Sequence, residues 1–109
     1  MNNLENTQIG EITRKAKEVM ERYKQDFPEV KIDRDYLPFK ITEEWGECLQ
    51  AYLMLTDRGR QKDKSKEEIK SNFKEEIADV FAYLLLFAEY ENIDIAKAVE
   101  DKWFVYLDK

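Results

Sequence analysis

Histidine is absent from this 109-residue chain, and cysteine, proline and glycine are scarce at one, two and three residues. Without histidine there is no imidazole base and no imidazole ligand, so di-iron bundles built on Glu-x-x-His pairs are excluded. A single cysteine, Cys48, rules out an intrachain disulfide and a cysteine-based zinc site, and it fits a reducing compartment. So few glycines and prolines count against a loop-rich or all-β fold and favour helices. No apolar run reaches the ~18 residues of a membrane span, and Met1-Asn2-Asn3-Leu4-Glu5 lacks a secretion-signal pattern. A soluble, cytoplasmic protein with no membrane partner is expected. Positive charge is also short: 18 Lys and Arg stand against 24 Asp and Glu, a net charge of −6. That disfavours a nucleic-acid polymer or an anionic membrane as partner, although metal ions could still bridge the chain to a small anionic substrate.

What remains is 43% hydrophobic and 39% charged, arranged with helical periodicity. Ile9, Ile12, Ala16, Val19, Met20 and Tyr23 mark a first helix from about residue 9 to 26, capped by Asn6 or Thr7 and ended by Phe27-Pro28. Pro38 suits the first turn of a second helix running to about Thr56, because its missing N–H is not needed there. The stripe of that helix is Ile41, Trp45, Cys48, Tyr52 and Leu55. A charged loop, Asp57 to Lys64, follows. Ser65-x-x-Glu68 reads as a capping box opening a third helix to about Glu91, with Ile69, Phe73, Ile77, Val80, Leu84 and Phe87 as its stripe. Asp94 caps a fourth helix whose apolar face is Ile95, Val99, Trp103 and Tyr106. Short connections indicate an all-α, antiparallel four-helix bundle. Residues 1–109 form a single domain on this reading, thin enough to be completed by oligomerisation.

Two of these helices carry paired carboxylates. Glu44-x-x-Glu47 lies on the second and Glu76-x-x-Asp79 on the third, and residues three apart share a helix face. Either pair alone reads most simply as a solvated face. At about 100° per residue, however, Glu76 falls inside the apolar stripe between Phe73 and Val80, while Glu44 and Glu47 flank theirs. A carboxylate facing a core costs several kcal/mol unless paired, and Lys40 is the one clear cation beside these four acids. A divalent metal bound by Glu44, Glu47, Glu76 and Asp79 resolves the conflict. Oxygen-only ligands suit Mg²⁺, Mn²⁺ or Ca²⁺, and carboxylate-bound Mg²⁺ is what enzymes acting on nucleotide phosphates use, with Mn²⁺ as substitute.

Lys40-Ile41-Thr42-Glu43-Glu44-Trp45-Gly46-Glu47, followed by Glu75-Glu76-Ile77-Ala78-Asp79-Val80, resembles the E-x-x-E…E-x-x-D signature of the MazG-like all-α nucleoside triphosphate pyrophosphohydrolases. The resemblance covers about residues 37–102. It implies Mg²⁺-dependent hydrolysis of (deoxy)nucleoside triphosphates to the monophosphate and pyrophosphate, with clearance of unwanted nucleotides as the role. It also implies a homodimer or homotetramer. It makes Glu44, Glu47, Glu76 and Asp79 the metal ligands and Glu43 or Glu44 the group that takes a proton from water. Lys40 and Lys102 match lysines of the family. The tail from Trp103 to Lys109 lacks the asparagine or arginine that family members commonly carry there.

Several residues have a plainer reading as well. Lys102 can lay its stem on apolar neighbours and hold its head in water. The basic loop residues Arg58, Arg60, Lys62 and Lys64 can reach phosphates or simply be solvated. Trp45, with Tyr36, Phe39 and Tyr83, can stack on a base or belong to core and interface. Gly46 within a helix suggests a close helix approach. A phosphoribosyl-ATP pyrophosphohydrolase-like enzyme shares the chemistry. A non-enzymatic acidic helical interaction module is the reading from another class.

Overall fold

The computed structural model describes residues 4–108, without the side chains of residues 4–7. The chain is all-α and bundle-like, with four helices and no strand among the described residues. Helix α1 spans Leu4–Asp26, α2 Tyr36–Leu55, α3 Lys66–Tyr90 and α4 Ile95–Trp103, and a 3₁₀ turn covers Phe104–Asp108. The alternation at Val30-Lys31-Ile32 forms no strand. Helix α1 begins five residues before the sequence boundary, so Asn6 and Thr7 lie within it; any cap from their side chains falls outside the described residues.

The helix ends follow from local chemistry. Ser65 and Glu68 form the reciprocal box: the Ser65 N–H donates to Glu68 Oε1 (2.7 Å) and the Glu68 N–H to Ser65 Oγ (3.1 Å). Asp94 Oδ1 accepts from the Lys97 N–H at 3.1 Å and caps α4. Helix α2 ends in a Schellman arrangement. The Arg58 N–H reaches the Leu53 carbonyl (2.8 Å) and the Asp57 N–H that of Met54 (3.1 Å), with Asp57 left-handed at φ 60°. Helix α3 repeats the device with Asn92, also at φ 60°. In both, a short polar side chain takes the place glycine usually fills.

The chain divides into two compact units, 1–32 with 85–109, and 33–84. The boundary falls inside α3, so this one helix belongs to both. In the first unit α1 contributes Met20 and Thr13 to the buried set, α3 contributes Leu85, Leu86 and Ala88, and the Thr13 hydroxyl donates to the Ile9 carbonyl (2.8 Å). Lys17 pairs with Glu89 (3.2 Å). Of the apolar face expected for the fourth helix, Ile95 is half-buried, while Val99, Trp103 and Tyr106 are exposed.

The second unit is a helical hairpin. Lys40 lies over the Tyr83 ring, Glu44 and Glu47 meet Glu76, and Tyr52 packs on Phe73 with ring centres 5.8 Å apart. Each step up α2 is thus met by a step down α3, which makes the pair antiparallel. The buried face of α2 is Leu37, Glu44, Cys48 and Ala51, one row at helical spacing, and Ile69 is buried on α3.

Charge on α2 is segregated. Its four charged residues, Lys40, Glu43, Glu44 and Glu47, occupy one sector. The opposite flank of the hairpin carries Trp45, Leu49 and Tyr52 from α2 and Ile77, Phe81 and Leu84 from α3, each at i, i+4, i+7. All six are 42–49% exposed. Nothing stands within 4 Å of a Cβ built on Gly46, so the close helix approach expected there is absent among the described residues.

Candidate metal centre

Three of the four expected ligands converge. Glu44, Glu47 and Glu76 can each offer a carboxylate oxygen such that all lie within 4.8 Å of one another. Spacing produces this: Glu44 and Glu47 sit one turn apart on α2, and the antiparallel register brings Glu76 of α3 beside them. Asp79 lies outside this trio and is exposed, yet its charge still acts on Glu44 and Glu76.

Burial is distributed differently from the sequence expectation. Glu44, read from spacing as a flanking residue, is the buried carboxylate at 8% exposure, while Glu76 is only half-buried and Glu47 is exposed. The reason is the crossing of the hairpin. The contact row of α2 runs through Leu37, Glu44, Cys48 and Ala51, not through Trp45 and Tyr52, so the apolar stripe of α2 is wider than its buried face.

Electrostatics record the crowding. Burial, and then the charge of Glu47, push the Glu44 carboxyl above the usual carboxylate range, with Lys40 working in the opposite direction. Glu76 is also pushed up, first by burial and then by Glu47, Asp79 and Glu44. The charges that push Glu76 are all negative. Lys40 sits at the other end of the trio, with Nζ 2.6 Å from Glu43, 3.4 Å from Glu44 and 5.7 Å from the Tyr83 ring centre. Tyr83 is pushed up to about 12, mainly by burial. Buried Cys48 is held protonated by desolvation and by Glu76, which marks it as an apolar filler.

The remaining sequence candidates are placed as follows. Glu43 is exposed and held by Lys40 rather than joined to the trio. Trp45 stands about 100° around α2 from Glu44 and opens on the uncharged flank. Lys102 is in the last turn of α4, in the first unit, with its side chain exposed. Two residues that sequence reasoning passed over lie beside the trio: Gln50 and Asn72 line the same cleft as Glu47 and Glu76. Gln50 continues the Glu44–Glu47 row by three residues and Asn72 precedes Glu76 by four, so extending the rows by one turn would have found them.

Oxygen donors from three carboxylates, without nitrogen or sulfur, fit a hard divalent cation. Three like charges within 4.8 Å, one of them buried and answered among the described residues only by Lys40 at 3.4 Å, are an unbalanced set that such a cation would balance. Compared with known families, curated proteins and solved structures, the chain shows no significant match to any of them.

Proposed function

We propose that this chain is a cytoplasmic hydrolase of phosphoric anhydrides that converts (deoxy)nucleoside triphosphates to the monophosphate and pyrophosphate, with Mg²⁺ or Mn²⁺ as cofactor. The convergence of Glu44, Glu47 and Glu76 from two helices, with Glu44 buried, is the observation that supports it. A divalent ion bound there would supply positive charge against phosphate oxygens and make water more acidic. Glu44, Glu47 and Glu76 would hold that ion, with Asp79 a further carboxylate whose charge acts on Glu44 and Glu76. Glu44, whose proton affinity is raised, is suited to receive the proton of the attacking water. Water oxygen bonds to the α-phosphorus, the bond to the α–β bridging oxygen breaks, and pyrophosphate leaves with the electron pair. Lys40, fixed by Glu43, is placed to steady charge on the phosphate.

The proposal includes self-association through the apolar patch of Trp45, Leu49, Tyr52, Ile77, Phe81 and Leu84, with Lys70 and Lys74 continuing its α3 row. Its six half-exposed apolar residues present on the order of 500 Å² per protomer, at the upper end for a single patch on a monomer. With a rim, that approaches the ~800 Å² per partner of a stable interface.

A panel of nucleoside triphosphates incubated with Mg²⁺ tests the reaction. Pyrophosphate should appear with at least one of them, and Glu47→Ala or Asp79→Ala should abolish it at unchanged helicity. Release of orthophosphate instead, no turnover across the panel, or full activity in either variant would refute the assignment.

A further inference from the structure

The loop between α2 and α3 does more than connect them. Arg60, Lys62 and Lys64 line a cleft of about 750 Å³ whose other wall carries Glu47, Glu76 and Asn72. Carboxylates and cations thus share one cleft, yet no ion pair joins them, and none of these three cations makes an ion pair with any described residue. A groove of about 950 Å³ in the first unit is the contrast. There Arg14 pairs with Glu11 and Glu18, and Lys17 with Glu89, so two of that groove's three cations are answered from within the chain, Arg22 being the third.

The loop is held in place. Gln61 Nε2 donates to the Met54 and Gly59 carbonyls at 3.1 Å, and Lys66 pairs with Asp57. A Cβ on Gly59 would come within 3.3 Å of the Leu53 Cβ, so the backbone lies tight against α2. Lys62 and Asp63 are successive left-handed residues, at φ 55° and 59°, an unfavourable backbone for a lysine.

A cleft with crowded acids on one wall and, on the other, bases outside any ion pair, of which Lys64 also acts on Glu68, suits a ligand that carries both signs. A metal-chelated polyphosphate has that character: its cation faces carboxylates and its outer oxygens face lysine and arginine. We infer that Arg60, Lys62 and Lys64 bind the pyrophosphate half of the substrate, the β- and γ-phosphates, and so fix its direction in the site. The inference rests on the triphosphate reading above. Lys40 lies seven residues from Glu47 along α2, about 10 Å away from the loop end. The nucleoside half therefore lies toward Lys40 and Tyr83, and the leaving pyrophosphate toward the loop.

Calorimetric titration of the full chain in Mg²⁺ tests this with inorganic pyrophosphate, inorganic tripolyphosphate and a nucleoside monophosphate. The triple variant Arg60→Ala, Lys62→Ala, Lys64→Ala should lose about tenfold or more in affinity for the first two and keep wild-type affinity for the monophosphate. Its helicity and its Mg²⁺ midpoint should be unchanged. Lys62→Arg with Lys64→Arg should restore most of the binding. Unchanged pyrophosphate affinity, equal losses for all three ligands, or no polyphosphate binding by the wild type would each overturn the assignment. If the wild type binds pyrophosphate through the loop but turns over no nucleoside triphosphate, the hydrolase reading fails and the loop assignment stands. If turnover proceeds and pyrophosphate inhibits the triple variant as strongly as wild type, the loop assignment fails alone.

Discussion

Neutralising Glu76 should make the metal-free protein more stable and the metal-bound protein no better off. Two unit charges 4.8 Å apart repel by about 3.5 kcal/mol at an effective dielectric of 20 and by about 0.9 kcal/mol in water. Glu76 faces both Glu44 and Glu47, and the charges that push its carboxyl are those of Glu47, Asp79 and Glu44. The site is half-open, so the relief lies between those limits and below their sum, at about 1–3 kcal/mol for Glu76→Gln, which keeps the shape of the side chain. For a domain of this size that is a rise of about 4–12 °C in Tm. Melting followed by circular dichroism in chelator at low ionic strength reads it directly. Half-molar salt should shrink the gain, because the charges are partly exposed and screened. Saturating Mg²⁺ should then raise the wild type, by about 2.7 kcal/mol at a hundredfold excess over Kd, and leave the variant nearly unmoved. A variant less stable than wild type in chelator, or one that gains as much from Mg²⁺, would refute the reasoning that these carboxylates oppose one another until a cation joins them.

The same crowding sets a pH dependence. Glu44 and Glu76 hold protons more tightly folded than unfolded, so above the ordinary carboxylate value of 4.5 the folded state binds more protons, and acidification from pH 7.5 toward 5.5 should raise the metal-free Tm. Glu11 and Glu68 shift downward, and what they contribute is lost only below 4.5, while no histidine titrates in the interval. A flat or falling metal-free Tm between those values would contradict the burial described for Glu44. Phe81→Lys should lower the mass seen by light scattering to that of one chain without loss of helicity, if the apolar patch around Trp45 and Phe81 is where copies meet. Gly46→Ala should add up to about 1 kcal/mol of stability in the single chain, because nothing occupies the space its Cβ would enter. A loss on chemical denaturation would mean that another copy packs there.

The sequence showed much of the fold because local chemistry decides it. Ser65 with Glu68, Asp94 with Lys97, and the rows of aliphatic and aromatic residues each specify a helix edge or face without knowledge of the rest. The meeting of Glu44, Glu47 and Glu76 also followed from i, i+3 spacing and an antiparallel hairpin. Which carboxylate would be buried did not follow. Helix α2 is uncharged over more than half its circumference, so its apolar stripe alone cannot say which part α3 covers; packing chose the row through Cys48 and Ala51, which carries Glu44 inward. The exposure of Trp103 and Tyr106 was equally hidden, since periodicity shows that a face is apolar and not that anything lies against it. Gln50 and Asn72 escaped notice because amides carry no charge imbalance to attract attention.

Helix α3 runs unbroken across the boundary between the two units. The part in the second unit carries Glu76 and Asp79, and the part from residue 85 on carries the buried Leu85, Leu86 and Ala88. Helical hydrogen bonds form and break cooperatively along such a run. Amide exchange in residues 85–90 should therefore slow when a cation binds at Glu76, although that segment touches no ligand. An opening fluctuation that frays α3 from its Tyr90 end would conversely loosen the turn holding Asp79. Occupancy of the carboxylates would then be read out as protection of a backbone several turns away, along the same helix.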